Sequence, residues 1–156
     1  MASTLKFVVE DPSSNRAQWA LAEYIRDVTQ TAGLTQLDLQ AGVRDVAEYR
    51  APTGVFLLGL FDEEAVACIG LRRRNDVEAE IKRMWVSPAV RGRGVGATLL
   101  AEVEARATEL GYARVVLDTN GALTPAISLY RTHGYTPIER YNDNADATHF
   151  FAKQLR

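Results

Sequence analysis

The sequence is poor in several features that would mark a specialised protein. It has one cysteine and two scattered histidines, which excludes an internal disulfide framework and leaves no metal-ligand spacing, so we predict no metal site. No apolar run approaches the length of a membrane span, and the N-terminus lacks a basic start that leads into one. We therefore expect neither a signal peptide nor a membrane segment, and a cytoplasmic protein.

Charge of one sign is also not in excess. The chain has 18 Lys and Arg against 20 Asp and Glu, a formal net charge of -2. This balance implies no general attraction to nucleic acid or to an anionic membrane, so a local basic cluster needs a local explanation. The 156 residues, 47% of them apolar, suffice for one core, and we expect a single domain over 1–156.

The N-terminal half alternates strand and helix patterns. "LKFVV" (5–9) predicts a strand, and "EDPSSN" begins a helix over about 14–31, with an inner stripe of Trp19, Ala22, Ile25 and Val28. A weaker helical pattern covers about 36–49. "GVFLLGLF", "DEE" and "AVACIGLRRR" predict a hairpin in which Cys68 is a small buried residue, and "DVEAEIKRMWV" adds a strand, which indicates an antiparallel meander.

In the second half, the apolar positions Leu99, Leu100, Val103, Ala107 and Leu110 recur at helical spacing from Gly94 until Gly111. "ARVVLDT" predicts a buried strand and "TPAISLYRTHG" a short helix, while "YTPIERY" and "THFFAKQL" predict two closing strands. A strand-helix-strand unit flanked by antiparallel pieces indicates a mixed α/β fold, with a mostly antiparallel central sheet and about four flanking helices.

Between these halves, "VRGRGVGATLL" (90–100) places three glycines and two arginines directly before a helix. Helix N-terminal N–H groups lack intrahelical partners and attract phosphate, and glycines let a phosphate come close. A P-loop is set aside because no Lys-Ser/Thr pair follows. Gly92, Gly94 and Ala97 formally fit a dinucleotide-binding fingerprint with Asp118 as its acid, but "SPAVR" separates the glycines from the preceding strand.

The spacing Arg91-x-x-Gly94-x-Gly96, after a strand ending in "MWV" and before an amphipathic helix, resembles the acyl-CoA motif of the GNAT superfamily of N-acetyltransferases. The resemblance extends through "LDTN" and "AISLYRTHGY" and covers about residues 54 to 136. It implies the GNAT acyltransferase fold, acetyl-CoA as cosubstrate and a primary amine of a small molecule or protein as acceptor, attacked directly in a ternary complex.

The resemblance also implies a cofactor site. Backbone N–H groups of the loop would hold the CoA pyrophosphate, and the main chain of the preceding strand would bind the pantetheine arm. Asn120 is a further candidate for contact with CoA, although the asparagine of many relatives corresponds to Leu123 here. The predicted cofactor-binding residues are Met84, Trp85, Val86, Arg91, Gly92, Arg93, Gly94, Val95, Gly96, Ala97 and Asn120.

Glu80 and Tyr130 are the predicted catalytic residues. Glu80 stands six residues before Val86, the spacing of the base glutamate in histone-acetyltransferase relatives, and would take a proton from the amine directly or through water. Period-two alternation predicts that Glu80, Lys82, Met84 and Val86 share one face. Tyr130 matches the tyrosine beside the acyl-CoA sulfur, where a phenol with a pKa of about 10 could protonate the thiolate.

Each of these residues has a simpler explanation as well. Glu80 would then be a carboxylate paired with a basic neighbour, and Tyr130 an aromatic packed on a helix face. A non-catalytic acyl-CoA-binding module and a dinucleotide-binding protein remain alternatives for the whole chain. The sequence does not show an acceptor pocket, and a homodimer is common among the proteins it resembles.

Overall fold

A seven-stranded mixed sheet separates two layers of helices. The computed structural model describes residues 4–33 and 45–155, with the strand order β1-β2-β3-β4-β5-β7-β6. All neighbouring strands are antiparallel except β4 and β5, which are parallel. The strands are β1 Leu5–Val9, β2 Val55–Phe61, β3 Glu64–Arg73, β4 Glu78–Val86, β5 Arg114–Thr119, β6 Thr136–Pro137 and β7 His149–Gln154. The helices are α1 Asn15–Ala32, α2 Val95–Glu109 and α3 Thr124–Thr132.

Each sheet face has its own core. On one face, Leu57 and Ile69 pack with residues of α2 and with Tyr130 of α3. On the other, Leu58 and Cys68 pack with residues of α1. The alternation of neighbouring strand residues between these clusters follows from the two-residue period of a strand. The structure confirms the predicted mixed α/β architecture, with three α-helices in the parts of the chain it describes.

Helix α1 begins and ends where its caps allow. The Ser14 side chain accepts a hydrogen bond from the Ala17 N–H, and Gly33 ends the helix with a positive φ of 64°. Ile25 and Val28 are buried as predicted, but Trp19 is 51% exposed. Ala22 is also exposed. The predicted stripe is therefore wrong in part: the buried positions are Ala17, Ala20, Leu21, Ile25 and Val28.

Small side chains explain why α1 presents a different face to the sheet than the one predicted. Ala17 and Ala20 are fully buried and let the helix approach the sheet closely. Trp19 lies at the border of this core, where its ring packs against that of Trp85 in a T-shaped arrangement with the centroids 5.8 Å apart. The predicted helix over 36–49 falls mostly outside the described residues. Its last part, Val46–Tyr49, forms a 3-10 turn.

The β2–β3 hairpin turns at Asp62 and Glu63, with φ values of 50° and 69°. Two successive positive φ angles characterise a two-residue turn that matches the twist of the strands, so the predicted acidic turn is confirmed. Cys68 is completely buried and its thiol donates to the Arg83 carbonyl at 3.3 Å, as expected for a core residue.

A β-bulge in β4 overturns the predicted alternation. Cys68 pairs with Trp85 while Gly70 pairs with Lys82, so β4 has one residue more than β3 between these pairs. Arg83 lies at this step with φ 59°. A bulge of one residue exchanges the two faces beyond it. Met84 therefore packs on the α2 side while Trp85 packs on the α1 side, and Glu80 and Lys82 do not share a face with Met84 and Val86.

Strands β4 and β5 separate partway along their length. They pair only over Glu78–Glu80 and Arg114–Val116. Beyond that point β4 continues to Val86, whereas β5 stays paired with β7 up to Thr119. The sheet therefore opens into a V between the end of β4 and the end of β5, and this gap positions the candidate site.

Two predictions in the C-terminal half need correction. Leu110 is 38% exposed because α2 ends at Glu109 and Leu110 is its C-cap. The predicted strand "YTPIERY" forms only the two-residue β6, on the sheet edge, where Pro137 has no N–H to extend the ladder. The strands at 114–119 and 149–154 and the helices α2 and α3 are confirmed. Within 4–33 and 45–155, no helix has both the length and the apolar character needed to cross a bilayer.

Candidate functional site

Two adjoining cavities fill the V between β4 and β5. The larger, about 400 Å³, lies beside the glycine loop, and the smaller, about 230 Å³, lies towards β5 and the loop that precedes β7. Six residues line both cavities: Tyr24, Val28, Met84, Leu123, Ala126 and Tyr130. The two tyrosines are the only polar side chains in this set. The cavities thus meet at a mainly apolar junction with two phenols.

The larger cavity gathers most of the predicted cofactor-binding residues. It is lined by Met84, Trp85, Val86, Arg91, Gly92, Gly94, Val95, Gly96 and Ala97. Two predicted residues lie elsewhere. Arg93 is exposed and outside the lining. Asn120 lines the smaller cavity, where its amide donates to the Asp146 carbonyl and accepts from the Ala122 N–H.

The glycine loop presents its backbone to the larger cavity. Gly92 and Gly94 have φ values of 80° and 76°, the left-handed region that favours glycine, and a Cβ at either would meet nothing within 4 Å. Gly94 is the N-cap of α2 and provides no side-chain cap. The first N–H groups of α2 therefore face the cavity side without an intrahelical partner, which suits an anion.

Gly96 serves a different purpose. A Cβ there would lie 3.0 Å from Leu129 Cδ2 and 3.5 Å from Met84 Cε. The space at Gly96 is therefore tight because side chains of α3 and β4 pack against the start of α2, and a larger residue would have to displace the Leu129 side chain slightly.

Arg91 is anchored across the mouth of the larger cavity. Its Nε donates to the Val86 carbonyl at 3.0 Å, and its guanidinium donates to Asp27 at 3.0 Å. The same Asp27 oxygen accepts from the Trp85 indole at 2.8 Å. Sequence reasoning missed Asp27, a polar residue of α1 that the helical pattern identifies only as the neighbour of buried Val28. It links α1 to the phosphate-loop side of the site.

Tyr130 lies at the junction of the cavities. Its side chain is 6% exposed, and its hydroxyl donates to Met84 Sδ at 3.7 Å. Burial raises the pKa of Tyr130 well above its usual value. The phenol therefore stays protonated at neutral pH and can donate a hydrogen bond or a proton.

Glu80 is buried and fully engaged. Arg72 Nε donates to one carboxylate oxygen at 2.9 Å and the Tyr141 hydroxyl to the other at 2.5 Å. Lys82 Nζ lies 3.8 Å away. Glu80 lines neither cavity, so the structure does not bring it to the junction occupied by Tyr130. The network also ties the chain segment before β7 to β4 through Tyr141.

The smaller cavity contains a second buried ionic group. Lys82 Nζ donates to Asp118 at 3.0 Å, and the amides of Asn142 and Asn144 donate to the other oxygen of Asp118 at 2.6 and 3.2 Å. Burial alone would raise the pKa of Asp118, but Lys82 and the two amides outweigh it and hold the pKa below its usual value. Sequence reasoning considered Asp118 only as a ribose ligand, because it could not place the loop that supplies the asparagines.

Arg83 and Asp146 complete the charged lining of the smaller cavity. The guanidinium of Arg83 donates to both oxygens of Asp45 at 2.8 Å and lies 4.8 Å over the Tyr49 ring. Among the residues the structure describes, no group of three or more His, Cys, Asp or Glu side chains is placed to hold a metal ion.

Comparison with known proteins agrees with this geometry. The profile of the acetyltransferase (GNAT) family matches residues 17–135. An uncharacterized N-acetyltransferase of Schizosaccharomyces pombe is 34% identical over 100 residues, 62% of this chain and 61% of that protein. The matched stretch thus spans less than two thirds of that relative.

Solved structures show the same fold. A GNAT-family acetyltransferase of Staphylococcus aureus superposes with a TM-score of 0.84 at 19% identity, covering 98% of this chain and 100% of that one. The PaiA N-acetyltransferase of Thermoplasma acidophilum, solved with coenzyme A, superposes with a TM-score of 0.72 at 17% identity, covering 97% of this chain and 99% of that one. With the opened sheet, the glycine loop and a family match over most of its length, the chain belongs to the GNAT acetyltransferase family.

Proposed function

We propose that this protein is an N-acetyltransferase that moves the acetyl group of acetyl-CoA to a primary amine. The observation that carries the proposal is the larger cavity, which joins the N–H groups at the start of α2 to the end of β4 on the side where β4 has separated from β5. The amine nitrogen attacks the thioester carbonyl carbon directly, the C–S bond breaks, and the products are an amide and the CoA thiol. Donor and acceptor must then be bound together, one in each cavity.

The acyl donor would occupy the larger cavity. Its volume of about 400 Å³ falls within the roughly 300–1,000 Å³ of sites for cofactor-sized ligands. The backbone of Gly92 to Ala97 would hold the pyrophosphate, with Arg91 adding positive charge. The main chain of Met84, Trp85 and Val86 would bind the pantetheine arm. An N–H near Met84 would stabilise the oxyanion as the amine attacks.

Tyr130 would protonate the leaving thiolate. Its hydroxyl lies at the junction of the two cavities and its raised pKa keeps it protonated until that step. Glu80 would receive the proton of the ammonium through water, because its oxygens already accept from Arg72 and Tyr141 and it lines neither cavity. The paired carboxylate is thus oriented for a relay and is not itself in reach of the acceptor.

Product analysis tests this proposal. The purified protein is incubated with acetyl-CoA and a set of amines, and both free thiol and the acetylated amine are measured, the latter by mass spectrometry. The proposal predicts equal amounts of both products. Thiol release without an acetylated amine would mean hydrolysis, and acetyl-CoA binding without either product would favour the non-catalytic binding module.

A further inference from the structure

The charges around the smaller cavity are almost completely paired within the chain. Lys82 is bonded to Asp118 at 3.0 Å and lies 3.8 Å from Glu80. Asp118 also accepts from two asparagine amides. Arg83 is engaged by both oxygens of Asp45. The two cations of the lining are therefore compensated and leave no free positive charge for a ligand.

Asp146 is the exception. Its carboxylate lines the smaller cavity and makes no hydrogen bond or ion pair with any residue in 4–33 or 45–155. Only the main chain of Asp146 is hydrogen-bonded: its N–H donates to the side-chain oxygen of Asn144, and its carbonyl accepts from the side-chain amide of Asn120. Among the residues that the structure describes, the cavity therefore offers a ligand one uncompensated negative charge. An ammonium bound beside it would gain an ion pair, whereas a ligand carboxylate would meet no unpaired cation in the part of the lining that the structure describes.

Apart from these charged groups and the polar side chains of Thr119, Asn120 and Asn144 near β5 and the segment before β7, the lining is apolar except at the junction. Leu21, Ile25 and Val28 of α1 face Leu123 and Ala126 at the start of α3. Tyr24 stands among them, and its hydroxyl has no hydrogen-bond partner within the described part of the chain. Burial raises the pKa of Tyr24 to about 12, so the phenol is neutral and its oxygen can accept from an amine N–H.

Resting on the function proposed above, we propose that the acceptor is a small amine with one positive charge, an apolar body and no carboxylate. Asp146 would attract its ammonium into the smaller cavity. After the nitrogen loses a proton through water to Glu80, Tyr24 would accept a hydrogen bond from a remaining N–H and aim the lone pair at the thioester. The volume of about 230 Å³ lies below that of drug-sized sites, which fits a ligand of this size.

A matched set of substrates tests this inference. 2-Phenylethylamine, phenylalanine and putrescine are compared by kcat/KM at saturating acetyl-CoA. The first has one charge and an apolar ring, the second adds only a carboxylate, and the third replaces the ring by a second ammonium. We expect 2-phenylethylamine to be preferred over each of the others by about tenfold or more. Equal use of phenylalanine or putrescine would overturn the inference.

Substitutions identify the residues. Asp146→Asn keeps the shape and should raise KM for 2-phenylethylamine roughly 10- to 100-fold, with KM for acetyl-CoA unchanged. Tyr24→Phe should lower kcat/KM for the amine. Asp143→Asn is the control, since Asp143 is exposed and lines neither cavity. An Asp146→Asn enzyme that behaves like this control would contradict the assignment.

The same measurements separate this inference from the proposed function. If acetyl-CoA binds and some amine outside the predicted class is acetylated, the function stands and the acceptor class is wrong. If acetyl-CoA does not bind to the purified protein, both fail.

Discussion

Replacing Tyr130 by phenylalanine separates catalysis from stability. The hydroxyl has one hydrogen bond, to Met84 Sδ at 3.7 Å, and sulfur is a weak acceptor. Removing it should lower the free energy of unfolding by less than about 1 kcal/mol. If the phenol is the general acid, kcat should fall about 10²- to 10⁴-fold, which corresponds to roughly 2.7–5.4 kcal/mol in the barrier.

Tyr135 provides a matched control from the same aromatic cluster. Its ring lies 5.7 Å from that of Tyr130, but it lines neither cavity and its hydroxyl donates to the Glu104 carboxylate at 2.7 Å. Tyr135→Phe should therefore cost about 1.5–3 kcal/mol of stability and leave kcat unchanged. The two variants thus have opposite predicted effects.

The assay is single-turnover thiol release at saturating acetyl-CoA and amine, where chemistry limits the rate, together with urea unfolding of each variant. Acetyl-CoA binding should be unchanged in both. If Tyr130→Phe turns over at the wild-type rate under these conditions, Tyr130 is not the acid and is simply a packed aromatic.

Three further predictions follow from the site. Gly94→Ala should lower the free energy of unfolding by about 1 kcal/mol because of its positive φ, and it should also weaken acetyl-CoA binding. Gly33→Ala is the control: its φ is 64° and its surroundings are equally open, so it should lower stability alone. Equal acetyl-CoA affinities of the two variants in calorimetry would refute the role of the loop. Glu80→Gln should lower the free energy of unfolding by about 1.5 kcal/mol, because it removes the charge that strengthens the hydrogen bond from Arg72, while Arg72 keeps its ion pairs with Glu48 and Asp45. It should also reduce kcat most at pH values where the amine is protonated, and a pH-independent loss would leave Glu80 a structural role only. Folding lowers the pKa of Asp118, so the stability that Asp118 contributes is complete above its ordinary pKa of 3.8 and is lost as the pH falls through the pKa of the folded state. Asp118→Asn should therefore make the free energy of unfolding, measured with urea, less dependent on pH in the acid range.

The sequence predicts most elements because their periodicity and caps are local. The strand at 5–9, the turn at Asp62 and the helix after Gly94 are all found where the pattern places them. The loop is equally local, and all of its predicted residues except Arg93 line one cavity. The conformation of each of these features depends mainly on residues that are close in sequence.

What the sequence does not reveal depends on distant contacts. The bulge at Arg83 exchanges the faces of β4, and nothing in an alternating pattern predicts it. Asp27 contacts Arg91 across 64 positions, and Glu80 meets Tyr141 across 61. The smaller cavity is built from α1, β4, the end of β5 and the segment before β7, so its charge pairing becomes visible only in three dimensions.

We propose above all that the glycine loop binds the pyrophosphate of CoA, next to the point where β4 separates from β5. Calorimetric titration of the purified protein with acetyl-CoA tests it most directly, with NADH as a parallel ligand and Arg91→Glu as the variant. We expect micromolar binding of acetyl-CoA that is strongly weakened by Arg91→Glu, and no comparable binding of NADH. Binding of NADH alone, or acetyl-CoA binding indifferent to the charge at position 91, would contradict it.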